Sequence, residues 1–106
     1  GWGNAMRWLL TGDELGAVEA HRLGLVQEVT ESGQQLPRAL AIAQRIAEQS
    51  PLGVQATLAS ARLALVDEEE AGRRLLPDLK PILASDDARE GLQSFLERRK
   101  ARFTGK

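Results

Sequence analysis

The sequence contains no cysteine and a single histidine, His21, among its 106 residues. Without cysteine the chain has no disulfide bond, no thiol nucleophile and no Cys-ligated zinc, and one histidine alone builds neither a metal site nor a histidine relay. No apolar run approaches the roughly 18 residues that a membrane span requires, and no signal-peptide pattern is present. We therefore expect no metal site and no membrane as a partner.

A surplus of charge of either sign is also lacking. The 14 Lys and Arg residues nearly balance the 15 Asp and Glu residues, so the formal net charge is −1. This balance argues against nucleic acid as a partner. The charged fraction of 27% and the hydrophobic fraction of 42% are typical of a globular chain, and the length is that of one domain with a modest core. We treat residues 1–106 as one domain.

Aromatic residues make up only 4% of the chain, whereas strong helix formers dominate it, which predicts a mainly α fold. Apolar periodicity and capping residues predict helices over residues 4–10, 17–23, 36–48 and 51–66, a fifth helical region opened by 67–70, and a last helix from Ser85, Asp86 or Asp87. Residues 25–29 are predicted to form a short strand or extended segment. Pro77 and Pro81 predict a kink or break in the fifth region, because an interior proline removes a hydrogen bond.

No arrangement of residues predicts catalysis within the chain. It has no G-x-S-x-G, no Gly-rich phosphate loop and no H-E-x-x-H. No carboxylate lies in an apolar surround that would raise its pKa, and the run of glutamates at 68–70 is expected to be a solvated helix start. Trp2 and Trp8 are expected to pack in a core or an interface, and Leu9 and Leu10 in a core or along an acyl pocket.

The basic C-terminal stretch carries the one candidate site that the residues alone suggest. Phe95 and Arg98 are three residues apart, and in a continuing helix they would face the same way. An aromatic ring beside a guanidinium can stack on a purine and hold a phosphate. The alternative is a solvated basic tail with Phe95 in the core.

Several motifs in colinear order resemble the crotonase superfamily (enoyl-CoA hydratase/isomerase). They are AMRWLLTGD at 5–13, Ala17 with Glu19-Ala20, GLV at 24–26, Ala47 through Ser50-Pro51 to Val54, SDDAREG at 85–91 and FLERR at 95–99. The resemblance covers essentially the whole chain. It implies the C-terminal helical region of a crotonase-like fold without the ββα spiral core, with core-proximal helices over 1–50 and C-terminal helices over 51–106.

The resemblance also implies a function. In the family, two backbone N–H groups polarise the thioester carbonyl of an acyl-CoA, and carboxylates add water or move protons at the neighbouring carbons. Those groups precede the L-T-G-D motif, so no catalytic residue and no cofactor beyond the CoA thioester substrate are expected here. The expected parent is a cytoplasmic enoyl-CoA hydratase that forms a homo-oligomer, a trimer or a dimer of trimers, and the segment alone is expected to be inactive.

One binding role carries over from the family, to Phe95 and Arg98. The aromatic residue of the F-L-E-K-R motif and the basic residue three positions on contact the adenine and phosphate of CoA in several members. Arg98 stands where lysine is the more frequent choice. Three alternatives remain: an isomerase or other crotonase-type activity, a stand-alone helical protein-interaction module, and a nucleic-acid binder that uses residues 98–106.

Overall fold

The computed structural model describes all residues from Gly1 to Lys106, and it contains six helices and no strand. The helices are α1 (Trp2–Thr11), α2 (Ala17–Arg22), α3 (Gln35–Ala47), α4 (Pro51–Ala64), α5 (Glu68–Leu83) and α6 (Asp86–Leu96). The prediction of a mainly α fold is confirmed. The chain divides into two compact units, Gly1–Ala41 and Ile42–Lys106, which we describe in turn.

In the first unit, the end of α1 follows the sequence signal. Gly12 adopts the left-handed conformation with φ 71°, and its N–H donates to the Trp8 carbonyl at 2.9 Å. Glycine is the usual residue at this position because it carries no Cβ. The helix predicted over residues 4–10 is therefore present and ends one residue later than predicted, at Thr11, and it begins two residues earlier, at Trp2.

The predicted strand or extended segment over residues 25–29 is wrong as a strand. After α2, Gly24 turns the chain with φ 76°, and the N–H groups of Leu25 and Val26 both reach back to the Ala20 carbonyl, at 2.9 and 3.4 Å. A strand needs a neighbour that accepts its N–H groups, and the chain offers none. These backbone donors are satisfied by the end of α2 instead.

In the second unit, side-chain caps set the helix starts. Ser50 accepts from the Gly53 N–H at 3.5 Å, Asp67 from the Glu70 N–H at 2.9 Å, and Ser85 from the Ala88 N–H at 3.1 Å. Each cap satisfies a backbone donor that the first helical turn leaves free. Ser85 is therefore the N-cap of α6, whose start the sequence left open over three residues, and the helix begins at Asp86. α4 packs against α5, and α5 contacts α6.

The two interior prolines do not break α5, so this part of the prediction is wrong. α5 is one helix over 16 residues that contains both Pro77 and Pro81. Their spacing of four puts both on one side of the helix, and the carbonyls that lose a donor belong to Arg73 and Pro77. All three residues are exposed, so water can reach those carbonyls. The cap residue Asp67 and the three glutamates of the first turn also favour the start of α5, because negative charge interacts favourably with a helix N-terminus.

The buried set is very small. It consists of Ala20, Ala71, Asp87 and Ser94. Trp2, Leu9 and Leu10 are exposed, so the expectation that they pack in a core is not met within this chain. Trp8 is half-buried beneath the Arg7 guanidinium, which lies 4.9 Å from its ring centre. Contact of these side chains with another surface stays a prediction.

Candidate functional site

The candidate site lies where α6 ends. The helix finishes at Leu96, Glu97 caps it, and the next two N–H groups turn back: Arg98 donates to the Phe95 carbonyl at 3.2 Å and Arg99 to the Ser94 carbonyl at 3.0 Å. This pair of bonds is the Schellman pattern that closes a helix C-terminus. Arg98 and Arg99 therefore lie beyond the helix, and the predicted continuation that put Phe95 and Arg98 on one helical face is wrong.

Arg98 has an unusual backbone conformation. Its φ of 54° makes it the one non-glycine residue in the chain with a positive φ. It occupies the position after the cap, where glycine is preferred because a Cβ in the left-handed region costs about 1 kcal/mol. The rest of the structure must hold Arg98 in this conformation.

Both predicted site residues are open to solvent. The Phe95 side chain is 79% exposed, which rules out the alternative that it fills a core of this chain. Arg98 is exposed and takes part in none of the ion pairs, whereas the adjacent Arg99 pairs with Glu90 and Glu97. The turn therefore presents an aromatic ring and a guanidinium that are available to a ligand.

The C-terminal segment folds back onto the start of α6 through Asp87. This residue is 2% exposed, and its carboxylate accepts hydrogen bonds from the Thr104 N–H at 2.7 Å, the Gly105 N–H at 3.0 Å and the Ser50 hydroxyl at 3.2 Å. Its own N–H donates to the Lys106 carbonyl at 3.0 Å. Asp87 thus joins three segments of the second unit.

Glu90 makes a second attachment one turn further along α6. Its carboxylate receives both terminal nitrogens of Arg99, at 2.5 and 2.8 Å, and the Arg102 N–H at 2.7 Å. The forked contact with Arg99 is a charge-assisted pair. These donors lower the pKa of Glu90 to about 2, with the Arg99 hydrogen bond as the main cause and the Arg102 N–H as the next.

A glycine completes the attachment. A Cβ on Gly91 would lie 3.6 Å from the Phe103 ring, so the ring packs over a bare stretch of α6. We call Asp87 and Glu90, together with residues 99–106, the tail clasp. The SDDAREG motif at 85–91 has the pattern S-x-D-x-x-E-G, and its four fixed positions each have a structural role. Ser85 caps α6, Asp87 and Glu90 bind the tail, and Gly91 leaves room for the Phe103 ring.

Sequence reasoning missed the tail clasp. It considered Asp87 only as a possible start of the last helix, gave Glu90 no role of its own, and found no carboxylate in an apolar surround. The partners of Asp87 lie 17 and 18 residues further along the chain, so no local pattern indicates that it is buried. The available signal was a pair of acids three apart on one helix face, followed by a basic and Gly-containing tail.

The Glu90 attachment should weaken in acid. Its pKa lies near 2 rather than at the ordinary 4.5, so the ionised form stabilises the folded tail at neutral pH. That contribution is complete above about 4.5 and is lost as the pH falls toward about 2. Hydrogen exchange of the Arg102 amide, corrected for its intrinsic rate, should lose protection over this window. In Glu90→Gln, protection should be low throughout; a wild-type amide that stays protected at pH 2 contradicts the prediction.

Metal-binding clusters and membrane-spanning helices are both absent from the structure. No group of three or more acidic or histidine side chains is arranged to hold a metal ion. None of the six helices combines the length and the apolar character that a bilayer crossing demands.

Comparison with known proteins shows which family the chain belongs to. The family model for enoyl-CoA hydratase/isomerase matches residues 1–106. The chain therefore belongs to the enoyl-CoA hydratase/isomerase family, as the motifs indicated. It is 40% identical to the enoyl-CoA hydratase EchA19 of Mycobacterium tuberculosis over 90% of this chain and 36% of the relative. It is 35% identical to a crotonyl-CoA hydratase of Syntrophomonas wolfei over 100% of this chain and 41% of the relative.

The fold agrees with a solved structure as well. A probable enoyl-CoA hydratase/isomerase from Mycobacterium abscessus superposes with a TM-score of 0.95 and 52% identity, over 100% of this chain and 42% of that one. The residues described here thus form the helical, C-terminal-like part of a crotonase fold. They span about two-fifths of the length of the relatives they match.

Proposed function

We propose that this chain is the C-terminal helical part of an acyl-CoA enzyme, an enoyl-CoA hydratase that adds water to a trans-2-enoyl-CoA. In this proposal, two backbone N–H groups outside these residues stabilise the enolate that forms as water adds. Residues 1–106 contribute no catalytic side chain and are inactive alone. CoA enters as the thioester substrate, and no separate cofactor is required. Isomerase chemistry remains the nearest alternative within the family.

One observation carries the proposal: the turn at the end of α6 offers Phe95 and Arg98 to solvent with no partner of their own. In the proposed role, the Phe95 ring stacks on the adenine of CoA and the Arg98 guanidinium pairs with a CoA phosphate. Arginine supplies the same charge as the lysine usual in the family but in a planar fork, which suits a phosphate oxygen pair.

The proposal extends to subunit association in a cytoplasmic homo-oligomer, a trimer or a dimer of trimers. Large apolar side chains are exposed in both units, among them Trp2, Leu10, Val18, Leu65 and Val66. Apolar surface of this extent favours contact with further protein, either the rest of the same enzyme or another subunit. Nothing in this role needs nucleic acid or a membrane.

Arg98→Gly in the full-length protein tests the CoA contact. Glycine accepts the positive φ of 54° without strain, so the turn is kept while the guanidinium is removed. We expect KM for a CoA thioester to rise by about tenfold to a hundredfold, the loss of a charge-assisted contact worth about 1–3 kcal/mol, with kcat little changed. KM for the matching pantetheine thioester, which lacks the nucleotide, should not move.

The matched control is Arg89→Ala. Arg89 is an exposed arginine within α6, and it pairs with Asp86 of that helix. Its loss should leave both KM values unchanged. Phe95→Ala should raise KM for the CoA thioester alone, because the adenine loses its stacking surface. If Arg98→Gly leaves KM for the CoA thioester at the wild-type value, the proposed contact is wrong.

A stand-alone helical interaction module is the second candidate, and the exposed apolar faces are the observation that favours it. It predicts an assembly that does not depend on Arg98 and shows no CoA binding. Sedimentation of the full-length protein with and without coenzyme A separates the two candidates when it is combined with the Arg98→Gly result.

A further inference from the structure

Arg98 is held from both sides, although its own side chain has no partner. On the helix side, the Arg98 N–H is bound to the Phe95 carbonyl. On the tail side, the Arg99 N–H is bound to the Ser94 carbonyl, and the Arg99 side chain is bound by Glu90. The residue that faces solvent is therefore the centre of a closed turn.

Glu90 attaches the segment after this turn to α6. It is the only residue that binds both the side chain of Arg99 and the backbone of Arg102, and so it spans the four residues that follow Arg98. Its carboxylate is largely enclosed, with 22% of the side chain exposed, whereas Arg98 remains open. The Glu90–Arg99 ion pair therefore restrains the chain and is not itself a surface for ligand binding.

The two Schellman hydrogen bonds set the left-handed conformation of Arg98, and the Glu90 contacts further restrain the segment that follows it. A free arginine would relax to negative φ, which would swing its side chain away from the end of α6. A non-glycine residue in this region persists where its surroundings over-determine it, and such residues concentrate at binding sites. The neighbouring Asp87 anchor fixes the same tail at Thr104 and Gly105 and so limits how far the chain can move.

We propose that Glu90 is a positioning residue for CoA recognition, which keeps Arg98 left-handed and its guanidinium directed at the nucleotide end of the substrate. This inference rests on the proposed function. Glu90 itself touches no part of the substrate and acts through Arg99 and the Arg102 N–H.

The sign of the effect separates positioning from simple charge. Glu90→Gln removes a negative charge near the turn, and electrostatics alone would then favour the phosphate of CoA more strongly. Positioning predicts the opposite, because the neutral amide offers one acceptor oxygen where the carboxylate served two sets of donors. Weaker binding in Glu90→Gln therefore reports the loss of geometry.

The experiment measures KM and kcat of the full-length protein for a CoA thioester and for the matching pantetheine thioester. We expect Glu90→Gln to raise KM for the CoA thioester about threefold to tenfold, to leave kcat unchanged, and to leave KM for the pantetheine thioester unchanged. Asp86→Asn is the control, since it removes an exposed carboxylate of the same helix that pairs with Arg89 and does not touch the tail. Arg99→Lys, which keeps the charge and loses the fork, should reproduce the effect in smaller measure and serves if Glu90→Gln does not fold.

Adding Glu90→Gln to Arg98→Gly should give no further rise in KM, because Arg98→Gly has already removed the guanidinium that Glu90 positions. The proposal is overturned if Glu90→Gln alone leaves KM for the CoA thioester unchanged or lowers it, or if KM rises equally for both thioesters, which would indicate a general structural role. Failure of the proposed function is distinct, since Arg98→Gly itself would then have no effect.

Discussion

Asp87→Ala is expected to lower the free energy of unfolding by about 3 kcal/mol. The carboxylate is buried and accepts from the Thr104 and Gly105 N–H groups and from the Ser50 hydroxyl. Its removal leaves these donors without their partner and opens a gap among three segments. If residues 104–106 detach, their N–H groups bind water instead, and this limits the loss in free energy of unfolding.

Equilibrium urea unfolding of the protein measures this prediction. Asp86→Ala is the matched control, because Asp86 is the adjacent residue and its exposed carboxylate pairs within α6; it should change the free energy by about 0.5 kcal/mol or less. Removal of residues 104–106 tests the cause, since Asp87→Ala in the shortened chain should then cost much less. Equal effects of Asp86→Ala and Asp87→Ala in the complete chain would contradict the prediction.

The helix starts were predictable because their causes are local. Ser50 with Pro51, and Ser85 with its acidic first turn, carry the whole capping signal within four residues. Gly12 marks the end of α1 in the same way. The segment at 25–29 failed because an apolar run with valines is compatible with a strand, and only the absence of a partner strand decides against it.

The end of α6 was harder to predict for a related reason. The usual stop is a glycine, and here the left-handed position is occupied by Arg98. Sequence periodicity therefore extended the predicted helix beyond Leu96, where α6 ends. This extension wrongly placed Phe95 and Arg98 on one helical face. The Glu90–Arg99 ion pair, which attaches the residue after the turn to α6, joins residues nine apart.

The candidate binding residues were indicated by their spacing and by the family resemblance, whereas the residues that support them were not found. Phe95 and Arg98 belong to the FLERR motif at 95–99, to which the resemblance assigns a binding role. Asp87 and Glu90 instead accept hydrogen bonds from the tail that follows this motif. The same acids are part of the S-x-D-x-x-E-G pattern, so the pattern predicted the family correctly. The structural role of these acids, which is to bind the chain that follows α6, could be recognised only from the structure, in which the tail folds back onto the helix.

The second large effect is expected in α5, where Pro77→Ala and Pro81→Ala should each raise the free energy of unfolding by about 2 kcal/mol. Each proline sits inside a helix that continues past it, where it removes a donor and crowds the preceding carbonyl. Alanine restores the donor to Arg73 or to residue 77, and the lower conformational freedom of proline in the unfolded chain offsets part of the gain. The two effects should not add fully, because the donor at residue 81 binds the carbonyl of residue 77.

The other two prolines of the chain supply the matched control. Pro37 lies in the first turn of α3 and Pro51 is the first residue of α4, positions at which a missing N–H leaves no carbonyl unpaired. Pro37→Ala and Pro51→Ala should therefore leave the free energy of unfolding unchanged within about 0.5 kcal/mol or lower it slightly. Thermal and urea unfolding of all four variants measure the contrast between interior and first-turn positions. If Pro77→Ala and Pro81→Ala prove no more stable than the first-turn variants, α5 gains more from its prolines in the unfolded chain than it loses in the helix.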